Sequence, residues 1–383
     1  MKKSLFTLAM LAFSVSSFAQ NDIFALTGKS TQTITFQDFR SVDTRNGISG
    51  ATYLTSNDTP NVFSSVLNKP VSEDKKSYNN AQSVSMTALA VDSKNHLIYM
   101  PLYSTNIYAL DMKTKEITLL ENNAAKNTAC NLGSQFTRMA TGADGNVYAV
   151  SNSGSQFLKI SNENGKYSVV DLGEIKDDAK NGKNSLKIMN IGFGGDMIAD
   201  SDNNFYLFSA SGNVFKVSAS TLNAEFIGKI NGLPENYSLN GAAVDSEGNI
   251  VVASAKGGNF YTVDLEKFQA EPLSSKLNMP VYDLASSYLL KGKKSVPVFA
   301  QNEIYPTNVT ENFINVRLNN ESKGNVKVQV YNTAGSLVQS QTYNNTGNSE
   351  QRIELNNPVS GVYVVKVSKE NGKQILTKKI LVK

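Results

Sequence analysis

Four stretches of this chain repeat one arrangement of residues, and that repeat limits the fold more than any other feature. They run from Ala90 to Tyr99, Ala140 to Tyr148, Ile198 to Tyr206 and Ala243 to Val251. Each has apolar residues, a polar turn built from Asp, Ser, Gly and Asn, and then an apolar or aromatic run. Asn and Gly accept the left-handed backbone of tight hairpin turns, so each stretch predicts a β-hairpin. A fifth, weaker copy runs from Ser41 to Ile48. A second hairpin follows each copy, as in Asn106 to Asp111 with Glu116 to Leu120, or Asn213 to Val217 with Ala224 to Gly228.

Strands thus come in fours. The turn heads Asp43, Asp92, Gly142, Asp200 and Asp245 are spaced by 49, 50, 58 and 45 residues. A repeat of this length made of four strands is the blade of a β-propeller, and blades must stack around an axis to bury both faces. Met279 to Ala285 reads as the inner strand of a further blade. Ile23 to Leu26 and Thr33 to Phe36 read as strands without a hairpin of their own. Joining these two ends closes the ring and removes its open edges. The expected count is six blades over residues 20–290, with five or seven as alternatives.

The chain of 383 residues opens on Met1-Lys2-Lys3, then an apolar run from Leu5 to Phe13 and small residues to Ala19. This predicts a signal peptide over 1–19, cut between Ala19 and Gln20. No other run is long and apolar enough for a membrane helix. Cys130 is the single cysteine, so no internal disulfide forms. Of the net charge of +4, Lys2 and Lys3 supply +2, and ten Lys or Arg against five Glu from residue 304 onward supply +5, which leaves −3 for the rest. This uneven split favours two domains. The body carries no basic stripe with interleaved aromatics, so no nucleic-acid partner is expected.

Residues 291–303 read as a linker. Beyond it, short runs alternate with period two between Gly and Asn turns, at 313–318, 326–331, 336–338, 351–355, 362–367 and 375–382. They predict a small β-sandwich over 304–383. Ile304 to Val309, Val330 to Val338, Leu355 to Val367 and the basic end Lys378 to Lys383 resemble the type A sorting domain of type IX secretion substrates of Bacteroidetes. The motif positions are Tyr305, Pro306, Gly335, Gly361, Tyr363, Lys378 and Lys379. The family usually opens Tyr-Pro-Asn-Pro, and this chain departs from that at Thr307 and Asn308. The resemblance implies recognition by the type IX machinery and delivery through the periplasm to the cell surface or the medium. It also implies removal of the tail, with release of the body or attachment to surface lipopolysaccharide.

Candidate chemistry in the body is sparse. His96 is the only histidine, and it lies in a turn, which disfavours a Ser-His-Asp triad. Thr27-Gly28-Lys29-Ser30 ends like a phosphate-binding loop, but Ile23 stands where the first Gly is needed. Asp200 to Asn204 begins like a calcium loop, but Phe205 and Ser211 replace its Gly and Glu. No catalytic residue is assigned. A six-bladed ring would be similar to the gluconolactonase group, which binds a divalent cation on its axis. That resemblance implies Asp196, Asn240 and Asp283 as ligands for calcium or magnesium in a lactonase-like hydrolase. The principal expectation is instead an exported binding propeller of unspecified ligand or protein partner.

Overall fold

The structure is a computed structural model that describes residues 23–74, 77–128, 130–163, 165–187, 193–290, 302–319, 322, 324–345, 349–356 and 358–383. The expected signal peptide and most of the expected linker lie outside the described residues. The chain forms two compact units, one within 1–291 and one within 292–383. Among the described residues, no helix is long and apolar enough to cross a membrane.

Among the described residues, the first unit is a ring of five mainly antiparallel sheets. Their innermost strands are Val281–Ala285, Met86–Val91, Phe136–Thr141, Asp196–Ala199 and Leu239–Val244, in blades 1 to 5 respectively. Each inner strand packs beside the next, and the fifth returns to the first. Blade 1 joins both ends of the body, because Val281–Ala285 pairs with Ile23–Gly28, followed outward by Phe36–Asp43 and Ile48–Thr55. Blades 2 and 4 each gain a short parallel strand at the rim, Val62–Ser64 and Lys176–Asp177.

The ring therefore has five blades and not six, and the turn geometry explains the difference. At Asp92, Gly142, Asp200 and Asp245 the amide three residues on donates back to the head's carbonyl, and that third residue (Asn95, Gly145, Asn203 or Gly248) has positive φ. These turns join first to second strands. At Asp43 the returning amide is that of Gly47, four residues on. The same wider turn recurs at Asp111 with Lys115, and both join third to fourth strands. Asp43 thus belongs to the blade that the Met279 to Ala285 segment completes.

Alternating strand residues from facing blades make the core. Blades 1 and 2 meet through Phe36, Phe39, Tyr99 and Tyr108, with successive ring centroids 5.0, 4.8 and 5.3 Å apart. Blades 3 and 4 meet through Tyr148, Phe157 and Phe205. The second unit is a sandwich. Its three-stranded sheet holds Glu303–Tyr305, Phe313–Leu318 and Ser349–Glu354. Its five-stranded sheet runs Asn308–Val309, Gln374–Val382, Gly361–Lys369, Gly324–Asn332, Leu337–Asn345. Ile314, Val316, Val328, Val365 and Val367 fill the space between.

Candidate functional site

The axis of the propeller holds the most unusual buried chemistry. Four residues before each narrow turn lie Ala88, Arg138, Asp196 and Gly241. Asp283 takes the same level in blade 1, because it accepts from Leu89 N (3.2 Å) as Asp196 does from Ala242 N (2.5 Å), one blade further on. Arg138, Asp196 and Asp283 are all fully buried. The Arg138 guanidinium donates to the carbonyls of Phe208, Ser151, Asn152 and Gly194 at 2.8–3.3 Å, which stitches blades 3 and 4 together. Burial pulls its pKa down to about 10, and the Asp196 carboxylate pulls the other way.

Asp196 accepts from Met197 N (2.7 Å) through Oδ1 and also from Leu284 N (3.3 Å) through Oδ2. Asp283 Oδ1 has no hydrogen-bond partner among the described residues, and Asp196 lies close enough for the two carboxyl charges to act on each other. Two acids in contact require one proton between them. Both carboxyls are accordingly pushed well above the usual range, first by loss of water and, for Asp283, then by the Asp196 charge. One proton shared between the two acids would balance the Arg138 charge and leave the trio neutral. Gly241 makes room for it, since a Cβ there would lie 2.7 Å from Leu284 Cγ and 3.3 Å from the Asp283 carbonyl carbon.

This arrangement does not fit calcium or magnesium. Three of the four carboxylate oxygens already take amide protons, and the Asn240 oxygen accepts from Ser238 Oγ (2.7 Å). Among the described residues no three His, Cys, Asp or Glu side chains converge. The neighbouring stretch of the axis is lined by Ala90, Ala140, Ala243 and Ala285 and encloses about 10 Å³, room for one water. Hard cations want six or more oxygens.

The other motif residues have structural explanations. The Tyr282 ring lies over Gly28, where a Cβ would overlap it, and Tyr282 OH donates to the carbonyls of Ser30 (2.5 Å) and Thr33 (2.8 Å). Asp200 accepts from the amides of Asp202 and Asn204 and closes its own turn. The His96 Nδ1 lies 2.9 Å from Asp92 Oδ2 and 2.8 Å from Tyr167 OH, so it ties blade 2 to blade 3. Cys130 is exposed.

Exposed apolar side chains of the body gather on one face. Among the described residues, the large exposed apolar side chains of the body are Val66, Leu67, Tyr78, Val84, Tyr103, Leu132 and Val170. All but Val170 sit in connections at the end where the inner strands of blades 2 and 3 begin. The Tyr78 and Tyr103 rings meet edge to face, 5.4 Å apart. Tyr103 has φ +61, whereas Gly154, Gly212 and Gly257 take the left-handed place in the matching connections of blades 3, 4 and 5. A bulky residue held there is strained, a cost that recognition sites commonly carry.

The frame beneath these tyrosines is rigid. Glu73 accepts from Tyr108 OH (2.6 Å) and Ala81 N (2.8 Å), and Tyr99 OH donates to Ala81 O (2.8 Å). Tyr103 N donates to Gln135 Oε1 (2.8 Å), and Gln135 Nε2 donates to Asn131 O (3.1 Å) beside Leu132. The long polar connections 57–82 and 122–135 point to this end of the ring as a place for recognition, but nothing in their composition marks the apolar residues themselves. Exposure of single apolar loop residues is decided by folding, and only the left-handed tyrosine marks the place.

In the second unit, Tyr305 lies under the Arg317 guanidinium at 4.8 Å, and Pro306 follows it. Gly335 has φ +78 in the turn after Asn332, whose side chain accepts from Ala334 N and Ser336 N. Gly361 opens its strand opposite Val382, and Tyr363 OH donates to Val359 O (2.8 Å). Lys378 and Lys379 are exposed on the last strand. On the outer side of the five-stranded sheet, Val362 faces Leu381, Val364 faces Lys379 and Tyr331, and Tyr331 faces Leu337. That face is an apolar row with lysines beside it.

Comparison with known proteins adds the following. Residues 303–383 match the family described as the secretion system C-terminal sorting domain. No curated protein matches the chain. Among solved structures, PorZ, an essential surface component of the type-IX secretion system of Porphyromonas gingivalis, is 12% identical over 94% of this chain and 51% of its own, with a TM-score of 0.30. The extracellular domain of the putative hybrid two-component system BT4673 from B. thetaiotaomicron is 11% identical over 85% and 46%, with a TM-score of 0.32. A catalytically inactive virginiamycin B lyase from Staphylococcus aureus with quinupristin is 9% identical over 95% and 97%, with a TM-score of 0.33. The chain spans about half the length of the first two, and likeness at this level carries no functional argument. The C-terminal unit therefore identifies the chain as a type IX secretion substrate, a β-propeller body with a sorting domain that sends it to the cell surface or the medium.

Proposed function

We propose that the exported body is a protein-binding propeller that takes its partner on the face around Tyr78 and Tyr103. One observation carries this reading: six of the seven large exposed apolar side chains of the body share that face among the described residues. Contiguous exposed apolar surface marks interaction sites, and tyrosines on a pre-organised frame are efficient anchors. The axis supports the same reading, since its acids are sealed from solvent and present no open position to a substrate.

The test places a photo-crosslinking residue at Val84 on this face, and separately at Ser93 on the opposite one, in protein on the surface of the producing cells. A discrete adduct is expected from position 84, absent from position 93, and lost in Tyr78→Ser and Tyr103→Ser. Adducts from position 93 only, or adducts at 84 that survive both substitutions, overturn the reading. We also take the sorting-domain resemblance to imply removal of the tail, followed by release or lipopolysaccharide attachment. Mass spectrometry of the mature C-terminus in cells and medium tests that step.

A further inference from the structure

At the opposite end of the ring, between blades 1 and 2, lies a groove of about 480 Å³. That volume is in the range of small-molecule sites. We propose that it binds a small organic anion with a flat or ring-shaped body, such as a cyclic carboxylate. The site is distinct from the face around Tyr78 and does not depend on it.

The groove joins an apolar wall to a cationic rim. Tyr53 forms the wall, set edge to face against Phe24 at 5.6 Å, and Met112 adds a polarisable flank. Lys115 Nζ sits 4.2 Å from the Tyr53 ring centroid and donates to Thr52 O (3.1 Å), which fixes the ring from behind. Lys94 and Lys113 line the groove itself. Lys94 donates to Asn162 Oδ1 (2.9 Å), a neutral acceptor.

One acid, Asp111, lines the groove against the two lysines, which leaves a net charge of +1 on its lining. Its Oδ1 accepts from the amides of Lys113 (2.7 Å) and Thr114 (3.0 Å), and its Oδ2 lies 3.9 Å from His96 Nε2. The Asp58 charge reaches Lys115, behind the wall and not in the groove. The rim is thus positive on a body whose net charge is negative. A positive rim over an aromatic floor selects for negative charge joined to an apolar or ring surface, and discriminates against neutral rings and bare inorganic anions.

The test uses the full mature chain with its methionine methyl groups labelled with ¹³C and followed by NMR. Met112 reports on the groove, and Met139 and Met197 on the axis serve as internal references. Glucuronate and benzoate are the probes, with glucose and inorganic phosphate as controls. A saturable shift of the Met112 methyl is expected with one or both ring anions, and its weakening by about tenfold in Lys94→Ala/Lys113→Ala. Response to glucuronate alone assigns sugar acids, and response to benzoate alone assigns aromatic acids. The proposal is overturned if neither ring anion shifts Met112, if glucose or phosphate does so equally, if Met139 and Met197 move with it, or if the double variant binds unchanged.

Discussion

The shared proton on the axis makes a quantitative demand on stability. In the folded ring the Asp196–Asp283 pair holds its proton above the ordinary carboxyl range, while the unfolded chain loses it near the ordinary aspartate value of about 3.9. Over that window the folded state binds more protons than the unfolded state. Linkage then makes stability fall as pH rises, from the unfolded carboxyl pKa up to the pH where the folded pair ionises. One proton is worth about 1.4 kcal/mol per pH unit. Each pH unit inside that window then corresponds to roughly 3–5 °C in melting temperature for a unit of this size. Asp283→Asn keeps a hydrogen bond to Asp196 and removes the shared proton. The comparison is thermal unfolding of wild type and variant from pH 4.5 to 7.5. The wild type should lose stability faster with rising pH, by about 1.4 kcal/mol per unit within the window. Parallel curves for the two proteins would refute the shared proton. A variant that collapses at every pH would show instead that both carboxyl groups are needed as acceptors.

Four further outcomes are measurable on the body and the sorting unit. Gly241→Ala should cost about 1–3 kcal/mol in urea unfolding, because its Cβ meets Leu284 and the Asp283 backbone. The His96 pKa is raised, chiefly by its hydrogen bond to Asp92, so its link from blade 2 to blade 3 should stabilise fully below pH 6.5 and fade as pH rises through the folded value. His96→Gln should remove that pH-dependent part, as read by melting temperature between pH 5 and 8 (roughly the histidine range). Deleting residues 302–383 should leave the body in the periplasm. Val362→Asp with Leu381→Asp should reduce surface delivery while circular dichroism stays unchanged, if the outer apolar row of the sorting sheet meets the machinery.

Much of this fold was legible because turns carry side-chain rules. Asn95, Gly145, Asn203 and Gly248 sit where a left-handed backbone is required, and each was visible as Asn or Gly after an acidic or glycine head. The blade count was not legible from the heads alone, since Asp43 opens a wider turn whose glycine comes one residue later. Ring closure by the two ends was readable from unpaired strands and the need to hide edges. Asp196 and Asp283 were singled out together, yet their role depends on depth and on which amides point at them. Neither is encoded locally. The Tyr78–Tyr103 pair joins connections separated in sequence, so only the folded ring reveals it.

Closure through Val281–Ala285 against Ile23–Gly28 has a consequence for manufacture and processing. The strand that clasps the ring shut is the last described one of the body, and 17 residues separate it from the first strand of the sorting unit. The address label is therefore always printed just after the clasp, so a chain truncated before the clasp also lacks its exit ticket. The same order sets a safe place to cut. A protease acting after Leu290 and before Asn302 would detach the label and leave the clasp fastened. A cut within Val281–Ala285 would break the clasp itself.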